Sequence, residues 1–177
     1  GTGGKTVAFR GELSANQTGL TSGAWAKLNL DTASTDTDNA LVDGKFKPSV
    51  AGYYQVNGAV RQSCSPASTS TIASIYKNGE AVSISAYGTM ELASNTNVSD
   101  VIYLNGTTDY LELYAQVVSS GTCGISRTAV NTFLSAILVS GGSASGGGTG
   151  GGDYTPEDLV WSEDLGDADG GTKEREL

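Results

Sequence analysis

The chain has 177 residues, with 25 glycines, 3 prolines and 16% charged residues, and its net charge at pH 7 is −9. This acidic balance argues against a nucleic-acid partner, because neutralising phosphates requires clustered Lys and Arg. No apolar run reaches the roughly 20 residues that span a bilayer, which disfavours a membrane role. The length fits one compact domain followed by a tail.

The chain begins with a glycine-rich lead, residues 1–5, before the first strand-like run. "GTGGKT" at residues 1–6 lacks the first glycine of the phosphate-loop motif, and a predicted strand follows instead of a helix. We therefore reject a nucleotide site there. No Met-led basic and apolar segment precedes the first strand, so the sequence predicts no signal peptide.

Residues 6–140 contain short β-type runs that turn residues interrupt about every 8 to 12 positions, which is typical of a sandwich or barrel. The acidic turn "DTDN" at 36–39 lacks the spacing of a calcium loop, so we interpret it as a solvated turn. "GYYQVNGAV" at 52–60 is the next strand. "IASIYKNGEAVSI" at 72–84 predicts a hairpin, because Asn78-Gly79 accepts the positive φ angles of a tight turn.

The later runs differ in how cleanly they alternate. "DVIYLNG" at 100–106 predicts a strand, and "YLELYAQVV" at 110–118 alternates apolar with polar residues, which indicates one wet face. "NTFLSAILVSGG" at 131–142 barely alternates, because both sides of the strand are apolar. One side contains Phe133, Ile137 and Val139, and the other contains Leu134, Ala136 and Leu138. Something must cover the second face of this last strand.

A glycine- and serine-rich linker at 141–152 ends the predicted domain, and an acidic tail follows at 153–177. The tail holds nine acidic and two basic residues, and therefore −7 of the net charge. Thr155 and Pro156 favour a helix start. We predict a docking segment with an apolar patch formed by Leu159, Val160, Trp161 and Leu165. The alternative is a disordered, solvating tail.

The sequence offers no catalytic, cofactor-binding or metal-binding constellation. Because the chain has no histidine, the familiar nucleophilic triads are excluded and structural zinc is disfavoured. Nothing marks a Ser-Lys dyad, and the carboxylates lie on separate strands. Two cysteines permit one disulfide but cannot form a metal site by themselves. We expect a protein that is not an enzyme.

Four segments together resemble the landmarks of the complement component 1q (C-one-q) and tumour necrosis factor superfamily. They are "GKFKPSVAGYYQVNGAVR", "IYKNGEAV", "DYLELYAQV" and "NTFLSAILV", and they cover most of residues 6–140. The matching positions are Phe46, Pro48, Gly52, Tyr54, Lys77, Asn78, Gly79, Asp109, Thr132, Phe133 and Leu138. One departure is Leu134-Ser135-Ala136, where the family usually has Ser, Gly and Phe. The resemblance implies an all-β fold, a ten-stranded jelly roll of two sheets.

The family's members are characteristically homotrimers in which the closing and central strands line the three-fold axis. The resemblance therefore implies a trimer interface at Tyr54, Leu134, Ala136 and Leu138, which would cover the second face of the last strand. The alternative is that a loop of the same monomer covers that face.

The resemblance also makes the central and closing strands antiparallel neighbours. Cys64 ends the central strand and Cys123 precedes the closing strand, so the family fold would bring them together. We therefore expect a disulfide between them. Two unlinked buried thiols are the alternative.

Sequence and resemblance together favour a non-enzymatic, trimeric protein on a virion surface, such as a bacteriophage fibre head or capsid decoration protein. Its expected partners are other copies of the chain, virion proteins reached through the tail or the N-terminus, and a host-surface receptor. The alternative is a secreted or cell-surface recognition module of the same fold that binds a protein or glycan.

Overall fold

The computed structural model describes residues 5–65, 70–85 and 95–140. These ranges form thirteen β-strands and no helix, arranged in two antiparallel sheets. The predicted all-β sandwich is confirmed. It has more strands than the expected ten because several connections contain strands of only two to four residues.

The first sheet has seven strands in the order β2-β12-β7-β13-β1-β4, and β10 also pairs with β7. Its strands are β1 (Ala8–Glu12), β2 (Gln17–Leu20), β4 (Thr32–Asp36), β7 (Gly52–Ser65), β10 (Asn95–Leu104), β12 (Thr122–Ile125) and β13 (Phe133–Ser140). Strand β7 is the centre of this sheet: residues 52–61 pair with β10, residues 53–59 with β13, and residues 62–65 with β12.

The second sheet has six strands in the order β5-β6-β11-β8-β9, and β3 pairs with β11. Its strands are β3 (Trp25–Lys27), β5 (Leu41–Val42), β6 (Lys45–Phe46), β8 (Ser70–Lys77), β9 (Glu80–Ile84) and β11 (Leu111–Val118). The predicted hairpin is confirmed, since β8 and β9 join at Asn78 and Gly79 with φ angles of 53° and 87°.

The core lies between the two sheets, and alternate side chains of each strand point into it. From β11, Leu111, Leu113, Ala115 and Val117 all face inward and are at most 1% exposed. Phe46 packs between the rings of Phe9 and Tyr54, at centroid distances of 4.6 and 5.4 Å. Fully burying a side chain of this size contributes about 2 kcal/mol.

Each apolar side of the closing strand faces the direction opposite to the one that the trimer assignment requires. Leu134 is 0% and Ala136 4% exposed, and Leu138 is half-buried against the same core. Tyr54 is 0% exposed, and its hydroxyl donates to the Val50 carbonyl at 2.7 Å. The interface assignment of these four residues was wrong, because the opposite sheet of their own sandwich covers them. The alternation of side chains along a strand separates its two faces, but it does not show which face is buried.

Cys64 and Cys123 form a disulfide. Cys123 lies on β12, directly opposite Cys64 in the pairing with β7, so a short additional strand brings the cysteines together. Both side chains are buried, at 7% and 4% exposure. The tail residues Leu159, Val160, Trp161 and Leu165 lie outside the described residues.

A buried carboxylate anchors the Asn78-Gly79 turn. Asp109 accepts a hydrogen bond from Asn78 Nδ2 at 2.8 Å and pairs with Lys77 Nζ at 3.1 Å. Burial alone would raise the pKa of Asp109, but these contacts and the Asn105 amide outweigh it and hold the pKa below the usual 3.8. The ionised carboxylate therefore stabilises the folded state.

Removing the disulfide should destabilise the protein, because the bond closes a loop with a sequence separation of 59 residues. We expect the double variant Cys64→Ala/Cys123→Ala to lose about 2 to 4 kcal/mol of unfolding free energy in urea denaturation. A reductant should lower the unfolding midpoint of the wild type and leave the variant unchanged. An unchanged wild-type midpoint under full reduction would contradict the stabilising role.

The stabilisation from Asp109 should depend on pH. A carboxyl group whose folded pKa is lowered stabilises above its unfolded pKa and loses this effect as pH falls through the folded value. Asp109→Asn should therefore cost about 2 kcal/mol at pH 7, and its deficit relative to wild type should shrink below about pH 4. The exposed Asp43→Asn variant is the control. Denaturation curves with a deficit independent of pH would refute the assignment.

Candidate functional site

The outward face of the seven-stranded sheet is defined by β10, β7 and β13. Ile102 and Leu104 of β10 enter the core, so the alternate residues Val101 and Tyr103 point outward. In β7, Tyr54 enters the core and Tyr53 points outward.

Five outward side chains form an exposed apolar group, called here the apolar patch: Tyr53 (52% exposed), Val101 (52%), Tyr103 (46%), Ile137 (49%) and Val139 (64%). Strand register brings them together. Tyr103 lies opposite Tyr53, and their rings meet edge to face at 5.3 Å. Gln55 of β7 has Val101 of β10 as its partner on one side and Ile137 of β13 as its partner on the other.

This concentration of exposed apolar side chains is unusual for a surface. Of the ten large apolar side chains that are exposed within the described residues, five lie in the apolar patch. Scattered single exposed side chains need no explanation, whereas a contiguous group indicates an interaction site.

Further along β13, and on the neighbouring β1, the outward face becomes polar. Arg10 lies over the ring of Phe133 at 3.7 Å and pairs with Glu12 at 2.8 Å. Asn57 and Ser135 lie opposite each other between this group and the apolar patch. A cavity of about 200 Å³ opens here beside Arg10, Asn57 and Ser135. The face thus has an apolar end and a polar end.

The described residues contain no group of three or more His, Cys, Asp or Glu side chains that could hold a metal ion. They also contain no helix long and apolar enough to cross a membrane. Burial, and next the charge of Asp38, raise the pKa of Tyr54 to about 12, so its hydroxyl stays protonated as a donor to Val50.

Sequence reasoning missed most of the apolar patch. Tyr53, Val101 and Tyr103 stand beside apolar neighbours in "GYYQVNGAV" and "DVIYLNG", so neither face of these strands stood out as polar. The interface expected at Leu134, Ala136 and Leu138 implies that Ile137 and Val139 face the core, whereas both are exposed. The missing signal was the strand register, which joins residues about 50 positions apart.

Comparison with solved structures places this architecture in a known fold. The chain is similar to murine APRIL at pH 5.0 (TM-score 0.59, 10% identity), covering 76% of this chain and 100% of that one. It is similar to Eiger TNF from S. frugiperda (TM-score 0.56, 10% identity), covering 81% and 97% of the two chains. It is also similar to the globular domain of zebrafish complement 1qA (TM-score 0.52, 10% identity), covering 77% and 99%.

No protein-family model and no curated protein matches the sequence. At these identities the similarity establishes the fold, and the described domain is a complement 1q/TNF-like jelly roll. The fold that the sequence landmarks implied is therefore confirmed. Residue roles and partners do not transfer with it.

Proposed function

We propose that the chain is a non-enzymatic binding module that assembles as a homotrimer through its apolar patch. The observation that carries the proposal is the cluster of half-exposed Tyr, Val and Ile side chains on β10, β7 and β13. Covering them would contribute about 1 kcal/mol each, or about 5 kcal/mol per subunit before association costs.

Two features favour a ring of three over a two-fold dimer. The resemblance to the complement 1q and TNF superfamily implies trimers. In addition, the tyrosines of the apolar patch lie toward β10, whereas the cavity beside Arg10 lies on the β1–β13–β7 side of the sheet. A face whose two sides differ can dock head to tail, and such contacts form a closed ring when the rotation between neighbouring subunits permits closure.

For the setting of the trimer, we propose a virion surface, as in a fibre head or capsid decoration protein. The low charge density and the Gly-, Ser-, Thr- and Asn-rich composition support this proposal. A second candidate is a secreted or cell-surface recognition module, which the Cys64–Cys123 disulfide favours because such bonds persist in oxidising compartments. Antibody labelling of purified particles and of cell surfaces from the native source separates the two.

The trimer proposal predicts that a charge in the apolar patch dissociates the assembly. Val101→Asp and Ile137→Asp should each convert a species of three times the monomer mass into a monomer, measured by light scattering after size exclusion. The control is Val42→Asp on the six-stranded sheet, where Val42 is 44% exposed. A wild-type monomer, or equal dissociation by the control, would refute the interface.

We further propose that the acidic tail, residues 153–177, docks the trimer to a partner with Trp161 as its anchor. Its apolar residues beside a helix-start pattern support this role. A chain ending at Ser140 should remain trimeric and lose partner attachment, and Trp161→Ala should reproduce that loss in the full chain. If the shortened chain is monomeric, the tail instead holds the subunits together.

A further inference from the structure

The six-stranded sheet has an aromatic outward face that the proposed trimer contact does not use. Trp25 on β3, Tyr76 on β8 and Tyr114 on β11 are half-buried, and Tyr110 lies just before β11. Strand register places Trp25 opposite Gln116, and Tyr76 opposite Glu112, on the side away from the core residues of β11. These four aromatic residues, with Lys27, Lys45 and Glu112, are called here the outer aromatic face.

The rings of the outer aromatic face hold one another in place. Tyr76 and Tyr114 stack with centroids 3.9 Å apart and planes 22° apart. Trp25 meets Tyr76 edge to face at 6.2 Å. Because these side chains are already ordered, a ligand that packs on them pays little additional conformational entropy.

The same face carries two ammonium groups around one carboxylate. Glu112 is 5% exposed; Lys27 Nζ lies 2.8 Å and Lys45 Nζ 4.0 Å from its Oε1 atom. Lys45 Nζ also lies 4.1 Å above the Tyr110 ring. Among the described residues, Glu112 is the only carboxylate paired with either lysine. Lys27 also donates to the Asp43 carbonyl at 3.0 Å, so it is held more closely than Lys45. The side chains of Lys27, Lys45 and Glu112 together carry a charge of +1, in a chain whose net charge is −9.

We propose that the outer aromatic face binds an acidic glycan, with pyranose rings packed on Trp25 and its neighbouring tyrosines and a sugar carboxylate paired with Lys45. The C–H faces of a pyranose suit the negatively charged faces of aromatic rings. A sugar carboxylate complements the surplus ammonium through charge-assisted hydrogen bonds.

A glycan fits this surface better than an acidic peptide does. The stacked rings of Tyr76 and Tyr114 lie on β8 and β11, which are each paired on both sides, whereas a peptide that adds a strand requires a free edge. Only Trp25 lies on a strand, β3, that pairs with a single partner among the described residues. Burial raises the pKa of Tyr114 above 10.0, and the charges of Glu112 and of neighbouring tyrosines add to this effect. Its phenol therefore stays protonated and can donate to a sugar hydroxyl.

This inference deepens the binding role proposed above and does not depend on the trimer. The two sheets pack face to face, so the outer aromatic face and the apolar patch lie on opposite sides of the sandwich. In a trimer that buries the apolar patch, three copies of the outer aromatic face would remain open to solvent. Surface-bound polymers would then be held with avidity.

Calorimetric titration of the full chain tests the ligand class. The probes are uronic-acid oligomers (oligogalacturonate, oligoalginate and hyaluronate fragments), a neutral dextran oligomer and polyglutamate. We expect at least one uronic-acid oligomer to bind about tenfold or more tightly than dextran and polyglutamate, with an affinity that falls as salt rises. Binding of polyglutamate or dextran at equal strength, or no binding by any uronic-acid oligomer, would overturn the proposal.

Variants of the outer aromatic face test whether the ligand binds there. In a Trp161→Phe background, Trp25 is the only tryptophan, and no residue of the outer aromatic face is substituted. Ligand binding should therefore change the fluorescence of Trp25. Lys45→Met should weaken binding about tenfold and flatten its salt dependence, while the exposed Arg127→Met serves as a matched control. Equal affinities of Lys45→Met and wild type, or a silent Trp25, would place the ligand elsewhere.

One further comparison separates this site from the trimer. Val101→Asp should keep the per-subunit affinity for soluble oligomer and lose avidity for an immobilised polymer. If Val101→Asp and wild type have the same mass and bind equally, the trimer fails and the glycan site stands. If the trimer is present but no uronic-acid oligomer binds, only the glycan site fails.

Discussion

The pairing of β7 with β10 and β13 determines both the core and the apolar patch. Tyr54, Val56 and Val60 enter the core from β7, and Gly58 between them leaves room for β10 and β11. A Cβ atom at Gly58 would lie 2.7 Å from Leu113 Cδ1 and 3.0 Å from Val98 Cγ1. Because side chains alternate, this inward set fixes which residues face outward. A slip of one residue would exchange the two faces.

Local signals in the sequence predicted much of the fold. Asn78 and Gly79 adopt the positive φ angles that the hairpin requires, and the alternation of β11 correctly separates its core residues from Glu112 and Tyr114. These features depend on neighbouring residues along one strand. The landmarks shared with the complement 1q and TNF superfamily then supplied the topology, which local patterns do not contain.

The candidate site was harder to predict, because it depends on pairings between distant strands. In β13 both faces are apolar, so the sequence showed that a second cover was needed but not which face needed it. Tyr53 and Tyr103 become neighbours only through the register of β7 with β10. The Cys64–Cys123 pairing likewise uses β12, a four-residue strand too short to produce a clear pattern.

The distribution of aromatic residues connects the two proposed surfaces. The aromatic part of the described core consists of Phe9, Phe46 and Tyr54, and aliphatic residues fill most of the remainder. The other tyrosines of the described residues face outward, two in the apolar patch and three on the outer aromatic face. Tyrosine suits such surfaces because it offers a large rigid contact area and a polar hydroxyl. Since the two surfaces lie on opposite sheets, a subunit can be buried on one side while the other stays open to a ligand. A sandwich with aromatic side chains on both outer faces would therefore let the proposed assembly and the proposed recognition occur without competition.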